Sequence, residues 1–159
     1  MDARSELTII ALGSNLGSSR ELIHSALQAL QELSAAPIRA SRIYETAPVD
    51  CPPGSPDFLN AVAIIKPLAD ETPETLLAKL QGLEKAFGRQ AKKVMNEARP
   101  LDLDLIAFGN ERRASADLTL PHPRAHLRKF VLEPLAELAP NYALPGQTRT
   151  VRELLAELP

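Results

Sequence analysis

Four short stretches rich in apolar and β-branched residues are interrupted by two longer stretches of helical repeat, and this order restricts the fold more than any single motif does. Leu7 to Leu12 reads as a strand that runs into the turn chemistry of Gly13-Ser14-Asn15-Leu16-Gly17. Beyond Ser18 or Ser19, either of which suits an N-cap, Leu22, Ile23, Ala26, Leu27, Leu30 and Leu33 recur with the period of a one-sided helix. Pro37 is expected to mark its end. Ile38 to Tyr44 and Phe58 to Ile65 carry strand-forming residues on either side of a proline-rich connection, Ala47 to Pro56, and are expected to pair as neighbours. Pro73 suits the first turn of a second helix, whose face bears Leu76, Leu77, Leu80, Leu83 and Phe87, with Gly88 as its stop. Leu101 to Phe108 gives a fourth strand, closed by Gly109-Asn110. Downstream, Leu118 to Leu120 suits a short strand, Phe130 to Leu138 a partly helical stretch, and Thr150 to Leu158 a terminal helix.

The order β-α-β-β-α-β is that of an α+β, ferredoxin-like sandwich, with helices packed on one face of an antiparallel sheet. A chain of 159 residues has the size of one domain, so residues 1–159 are expected to form a single unit with its own core. Acidic and basic side chains nearly balance, 20 against 18, which leaves no global basic field to attract nucleic acid or an anionic membrane surface. The polar start, Met1 to Glu6, and the short apolar stretch after it suit neither a secretory signal nor a spanning segment. The single cysteine, Cys51, has no partner for a disulfide and no zinc-ligand spacing, so an ordinary loop residue in a reducing, cytoplasmic setting is expected.

Chemistry concentrates in the fourth strand. Alternation puts Leu101, Leu103, Leu105 and Ala107 on one face and Asp102, Asp104, Ile106 and Phe108 on the other. The two aspartates attach about 6.5 Å apart, so their heads can converge on one cation or on a pair about 4 Å apart. The same spacing equally suits two exposed acids at a solvated strand end. Cations flank the pair, with Arg89, Lys92, Lys93 and Arg99 before it and His122, Arg124, His126, Arg128 and Lys129 after it, an arrangement suited to a metal-bound triphosphate. Lys92, Lys93 and Lys129 read best as solvated surface charge. No Gly-Lys-Ser/Thr occurs, so metal and side chains rather than a glycine cradle would hold phosphates. His122 lies between Pro121 and Pro123, whose constrained backbone favours an aimed side chain. Gln81 and Glu84 share a helical face at i and i+3, as ligand contacts or as ordinary surface polar residues.

Taken in order, Ala11 to Gly17, Tyr44-Glu45-Thr46-Ala47-Pro48, Phe58-Leu59-Asn60-Ala61, Gly88-Arg89, Arg99-Pro100-Leu101-Asp102-Leu103-Asp104 and Leu120-Pro121-His122-Pro123 resemble the hydroxymethyldihydropterin pyrophosphokinase family. The combination covers residues 7 to about 135. The resemblance implies a ferredoxin-like fold, ATP and 6-hydroxymethyl-7,8-dihydropterin as substrates, two Mg2+ ions and AMP as the leaving product. It makes Asp102 and Asp104 the metal ligands and adds Arg89 and Arg99 to them as catalytic residues. For ATP it implies Gln81, Glu84, Arg89, Arg99, His122 and Arg128, with backbone groups near Leu105 and Thr119 meeting adenine. For the pterin it implies Thr46 and Asn60 at the polar edge, backbone groups around Ala47 and Val49, and Phe58 and Phe130 as the two rings that sandwich the bicycle. Ala91, Met95 and Asn96 stand where many relatives carry arginine or an Arg-Trp pair, and Pro100 replaces a usual Thr or Ile.

The reaction so implied is diphosphate transfer from ATP, carried by positioning and charge stabilisation. A monomer with no nucleic-acid or membrane partner is expected. One rival is a binding domain that retains the site without turnover, which AMP release would decide. Another is a ferredoxin-like RNA-binding module, but that class presents aromatics and basic charge on its strands, whereas this strand bears acids.

Overall fold

Thr8–Ser14 is buried along almost its whole length, which requires a position inside a sheet covered on both faces. The computed structural model describes residues 6–15, 19–46, 57–87 and 101–159. Its elements run β1 (Thr8–Ser14), α1 (Ser19–Gln31), β2 (Arg39–Ala40), β3 (Tyr44–Thr46), β4 (Phe58–Ile65), α2 (Pro73–Phe87), β5 (Asp102–Phe108), β6 (Arg113–Ala114), β7 (Thr119–Leu120), α3 (Lys129–Leu138) and α4 (Val151–Glu157). The sheet has the order β2-β4-β1-β5, with β3 also paired to β4. All of these pairs are antiparallel.

Two cores flank the sheet. On one face, Ile23, Ala26 and Leu30 of α1 and Leu76 and Leu80 of α2 pack against Ile10, Leu12, Ala61, Ala63, Leu103 and Leu105. This is the expected ferredoxin-like layer. On the other, Val131, Leu132 and Leu135 of α3 and Val151 and Leu154 of α4 cover Ile9, Val62, Ile64 and Ile106. The C-terminal helices thus add a second layer. At the start of α4, Thr150 Oγ1 accepts the Glu153 N–H at 3.2 Å and Glu153 Oε1 accepts the Thr150 N–H at 2.8 Å, a reciprocal cap that fixes where the helix begins.

Three local expectations change, and one expected strand gains a partner. Helix α1 stops at Gln31, well short of Pro37, because Glu32, Leu33 and Ser34 donate to carbonyls three residues back and tighten the last turn. The Gln31 side chain then locks the following turn through the Ala36 carbonyl and the Ile38 N–H. Ile38 to Tyr44 is not one strand. Pairing runs from Ala40↔Ala63 to Tyr44↔Asn60, so the first strand spends one more residue than its partner and splits into β2 and β3. Ser41 fills the break, its Oγ accepting the Val62 N–H at 3.0 Å. In β5, the register shifts between Ile9↔Ala107 and Ile10↔Leu105. Strict alternation therefore fails beyond Leu105, and Ala107 joins the second core while Phe108 packs on the first. Finally, the short strand Thr119–Leu120 pairs with β6, a partner the sequence pattern did not reveal.

Candidate active site

Strand register builds the site. Asp102, Gly13, Asn60 and Tyr44 stand level on β5, β1, β4 and β3, and Asp104 stands beside Ala11. Adjacent strands lie about 4.8 Å apart, so the row spans about 14 Å. Its face is the one that α3 and α4 cover further along, but here the covering ends and the lining turns polar. A cavity of about 520 Å3 opens, lined by Ala11, Leu12, Gly13, Ser14, Tyr44, Glu45, Thr46, Phe58, Asn60, Asp102, Asp104, Arg128, Lys129, Phe130 and Glu133. The floor is the sheet, and the first turns of α3 supply one wall. Gly13 keeps the floor open: a Cβ there would meet Asn60 Oδ1 at 3.4 Å and Asp102 Cβ at 4.0 Å.

At one end, Asn60 Nδ2 donates to Thr46 Oγ1 at 3.4 Å, which aims two polar groups together at the β3 and β4 strand ends. Phe130 is 40% exposed, unusual for a large apolar side chain, and its ring centroid lies 5.3 Å from the Arg128 guanidinium. Three of the chain's six aromatic residues, Tyr44, Phe58 and Phe130, border this one cavity, a concentration suited to a flat ligand.

At the other end lie the acids. Glu84 projects from α2, and its Oε2 accepts the N–H of Leu103, between the two aspartates, at 2.8 Å. Burial pushes the Glu84 carboxyl above its ordinary range, the Leu103 N–H opposes this, and Asp102 and Asp104 push it up further. The negative charge of Asp102 and Asp104, reinforced by Glu84 nearby, favours a cation at the pair. Two carboxylates of one strand suit Mg2+, an ion commonly held by one or two carboxylates plus phosphate oxygens and water. Asp102 and Asp104 therefore fit a metal shared with a bound triphosphate.

His122 follows a cis Leu120–Pro121 bond, and its N–H donates to the Ile106 carbonyl of β5 at 2.8 Å. Its Nδ1 accepts the Arg124 N–H at 3.2 Å, leaving Nε2 to carry the proton of the neutral ring. Burial lowers the imidazole pKa, and Arg128 and Arg124 lower it further.

The structure thus brings Thr46, Phe58, Asn60, Asp102, Asp104, Arg128 and Phe130 to one cavity. Gln81, Glu84, Leu105, Thr119 and His122 are not part of its lining; Leu105 is buried in the first core, while Gln81 and Thr119 are exposed. Ala47, Val49, Arg89, Arg99 and the departures at Ala91, Met95, Asn96 and Pro100 lie outside the described residues, as does Cys51. Lys129 is exposed, as expected, yet it borders the cavity. Sequence reasoning missed Tyr44, Glu45 and Glu133. Tyr44 had a usable signal, because strand alternation puts it on the face of Thr46.

Residues 9–140 match the family described as 7,8-dihydro-6-hydroxymethylpterin-pyrophosphokinase (HPPK). The chain is 39% identical over 149 residues to the 2-amino-4-hydroxy-6-hydroxymethyldihydropteridine pyrophosphokinase of Haemophilus influenzae, covering 93% of this chain and 90% of that one. It is also 39% identical over 151 residues to the enzyme of the same name from Pseudomonas aeruginosa, covering 94% and 90%. Among solved structures, it is similar to Plasmodium falciparum HPPK-DHPS wild type with pteroate, at a TM-score of 0.73 and 12% identity over 99% of this chain. The chain spans 45% of the length of that solved chain, and the likeness concerns the fold.

Proposed function

The chain belongs to the 7,8-dihydro-6-hydroxymethylpterin-pyrophosphokinase family, and we propose that the cavity floored by Asp102, Gly13 and Asn60 is where its reaction takes place. The chain transfers diphosphate from ATP to 6-hydroxymethyl-7,8-dihydropterin, a step of folate biosynthesis. The bond from the hydroxymethyl oxygen to the β-phosphorus forms, the bond from that phosphorus to the α-phosphate oxygen breaks, and AMP leaves. The hydroxyl proton passes to solvent.

The observation that carries the assignment is the convergence of seven expected ligand contacts on one cavity, with aromatic and amide groups at one end and the acid pair at the other. In this reading the pterin lies between Phe58 and Phe130, and Asn60 and Thr46 read its polar edge. Backbone groups around Ala47 and Val49 complete that edge. The hydroxymethyl group then points along the row toward Asp102 and Asp104.

Asp102 and Asp104 would hold the two Mg2+ ions, which when bound would supply charge to neutralise the triphosphate and polarise the attacking oxygen. Arg128 stands beside Phe130 and supplies charge-assisted contacts to phosphate, with Arg89 and Arg99 as further cations. His122 donates from Nε2, and Gln81 and Glu84 border ATP on the α2 side. Glu84 also fixes the acid-bearing strand through Leu103. Adenine is met by backbone near Leu105 and Thr119. In this reading the enzyme is a cytoplasmic monomer; separately, no described helix is long and apolar enough to cross a membrane.

The products decide the reading. Incubation with ATP, Mg2+ and 6-hydroxymethyl-7,8-dihydropterin should give AMP in proportion to pterin diphosphate on anion-exchange chromatography. ADP in proportion to a phosphorylated pterin would refute it.

A further inference from the structure

We infer that Glu137, which does not line the cavity, is a positioning residue that sets its width by clamping Tyr44. The inference rests on the pterin site proposed above. Strand β3 is short, and its named strand partner is β4 alone, yet it contributes Tyr44 and Thr46 to the cavity. Such a strand needs an anchor on its outer side. Glu137, in the last turn of α3, provides it. Its Oε1 accepts the Tyr44 hydroxyl at 2.8 Å, and its two carboxylate oxygens accept the Arg42 N–H at 3.2 and 3.3 Å. The Arg42 guanidinium lies 4.7 Å from the centroid of the Tyr44 ring, so the ring is held at its face as well as at its tip.

One carboxylate therefore ties the strand that carries Thr46 to the helix that carries Phe130. Phe130 and Glu137 are seven residues apart, two helical turns, and so lie along the same side of α3. A flat bicycle stacked at Phe130 and read by Thr46 and Asn60 needs these two elements at a fixed separation, because stacking and edge contacts are lost when either wall drifts. Burial and the Glu137 hydrogen bond push the Tyr44 phenol above its ordinary range, so it remains a donor throughout the neutral region.

The brace predicts a selective defect. Glu137→Ala should raise the pterin KM about three- to tenfold, with kcat and the ATP KM changed less than about twofold, and Tyr44→Phe should raise the pterin KM over the same range. Glu137→Gln keeps an acceptor for both donors and should restore a pterin KM within about twofold of wild type. The double variant should be no worse than Glu137→Ala alone, since that substitution already removes the Tyr44 contact together with the Arg42 one. Wild-type AMP release is measured alongside: its absence would overturn the reaction assigned above. With wild-type turnover intact, an unchanged pterin KM in both single variants would overturn the brace alone. So would an equal loss toward both substrates that Glu137→Gln fails to rescue.

Discussion

Replacing Gly13 by alanine should separate stability from activity. Gly13 lies mid-sheet between Asn60 and Asp102, with a backbone conformation open to any L-residue. The added Cβ would meet Asn60 Oδ1 at 3.4 Å, Leu59 O at 3.9 Å and Asp102 Cβ at 4.0 Å, all ordinary contacts. The folded protein therefore accepts the methyl group without strain, while the unfolded chain loses freedom. Such a substitution stabilises by about 0.4–1 kcal/mol, or a rise in Tm of about 1–4 °C at this chain length. The same methyl stands on the cavity floor, however, between the group proposed to read the pterin and the group proposed to hold metal. Overpacking a fitted site costs about 1–3 kcal/mol, which corresponds to a loss in kcat/KM of about 5- to 150-fold. Thermal melting and steady-state kinetics on the same preparation test both halves. A kcat/KM within twofold of wild type for both substrates would refute the floor assignment, and a clear fall in Tm would refute the contact geometry.

Three other outcomes are expected. Asp102→Asn and Asp104→Asn should each lower kcat by about two or more orders of magnitude at saturating Mg2+, by removing charge that holds the metal at the transferred group; near-normal rates in both would exclude the pair as ligands. Tyr142 is 1% exposed in the second core, its hydroxyl has no hydrogen-bond partner among the described residues, and burial pushes its pKa to about 12. Tyr142→Phe should thus raise stability by about 1 kcal/mol with kinetics unchanged, and a lower denaturation midpoint would reveal a partner. His122 has a lowered pKa in the fold, so between that value and its unfolded value near about 6.5 the unfolded chain binds more protons. This contribution is complete above the unfolded pKa and is lost as pH falls through the interval; His122→Asn should flatten that part of a Tm-against-pH curve, and parallel curves would refute it.

Elements with a local cause were legible in the sequence. The apolar repeats of α1 and α2 and the strands β1, β4 and β5 follow from periodicity, and Thr150 with Glu153 announces α4. Pairing was not legible. Whether Ile38 to Tyr44 forms one strand or two, and whether β5 alternates to its end, depends on one extra residue against a partner far away in sequence. The same distinction divides the site. Alternation alone put Asp102 and Asp104 on one face, whereas their alignment with Gly13, Asn60 and Tyr44 required the register. The resemblance supplied Asn60 and the two phenylalanines. Nothing local pointed to Glu137, whose partner Tyr44 lies 93 residues away.

The Glu84 contact to β5 also bears on how the protein behaves at high concentration. Among the described residues strand β5 ends the sheet, and the backbone groups along a sheet's last strand are a template on which a second molecule can add a strand. Two of those groups are already taken: the Leu103 N–H by Glu84 and the Ile106 carbonyl by the N–H of His122. An incoming strand would have to displace both, and would meet Asp102 and Asp104 beside them. Carboxylates that suit a triphosphate would therefore also oppose self-association along this border, and loss of either aspartate should lower the concentration at which the protein stays monodisperse.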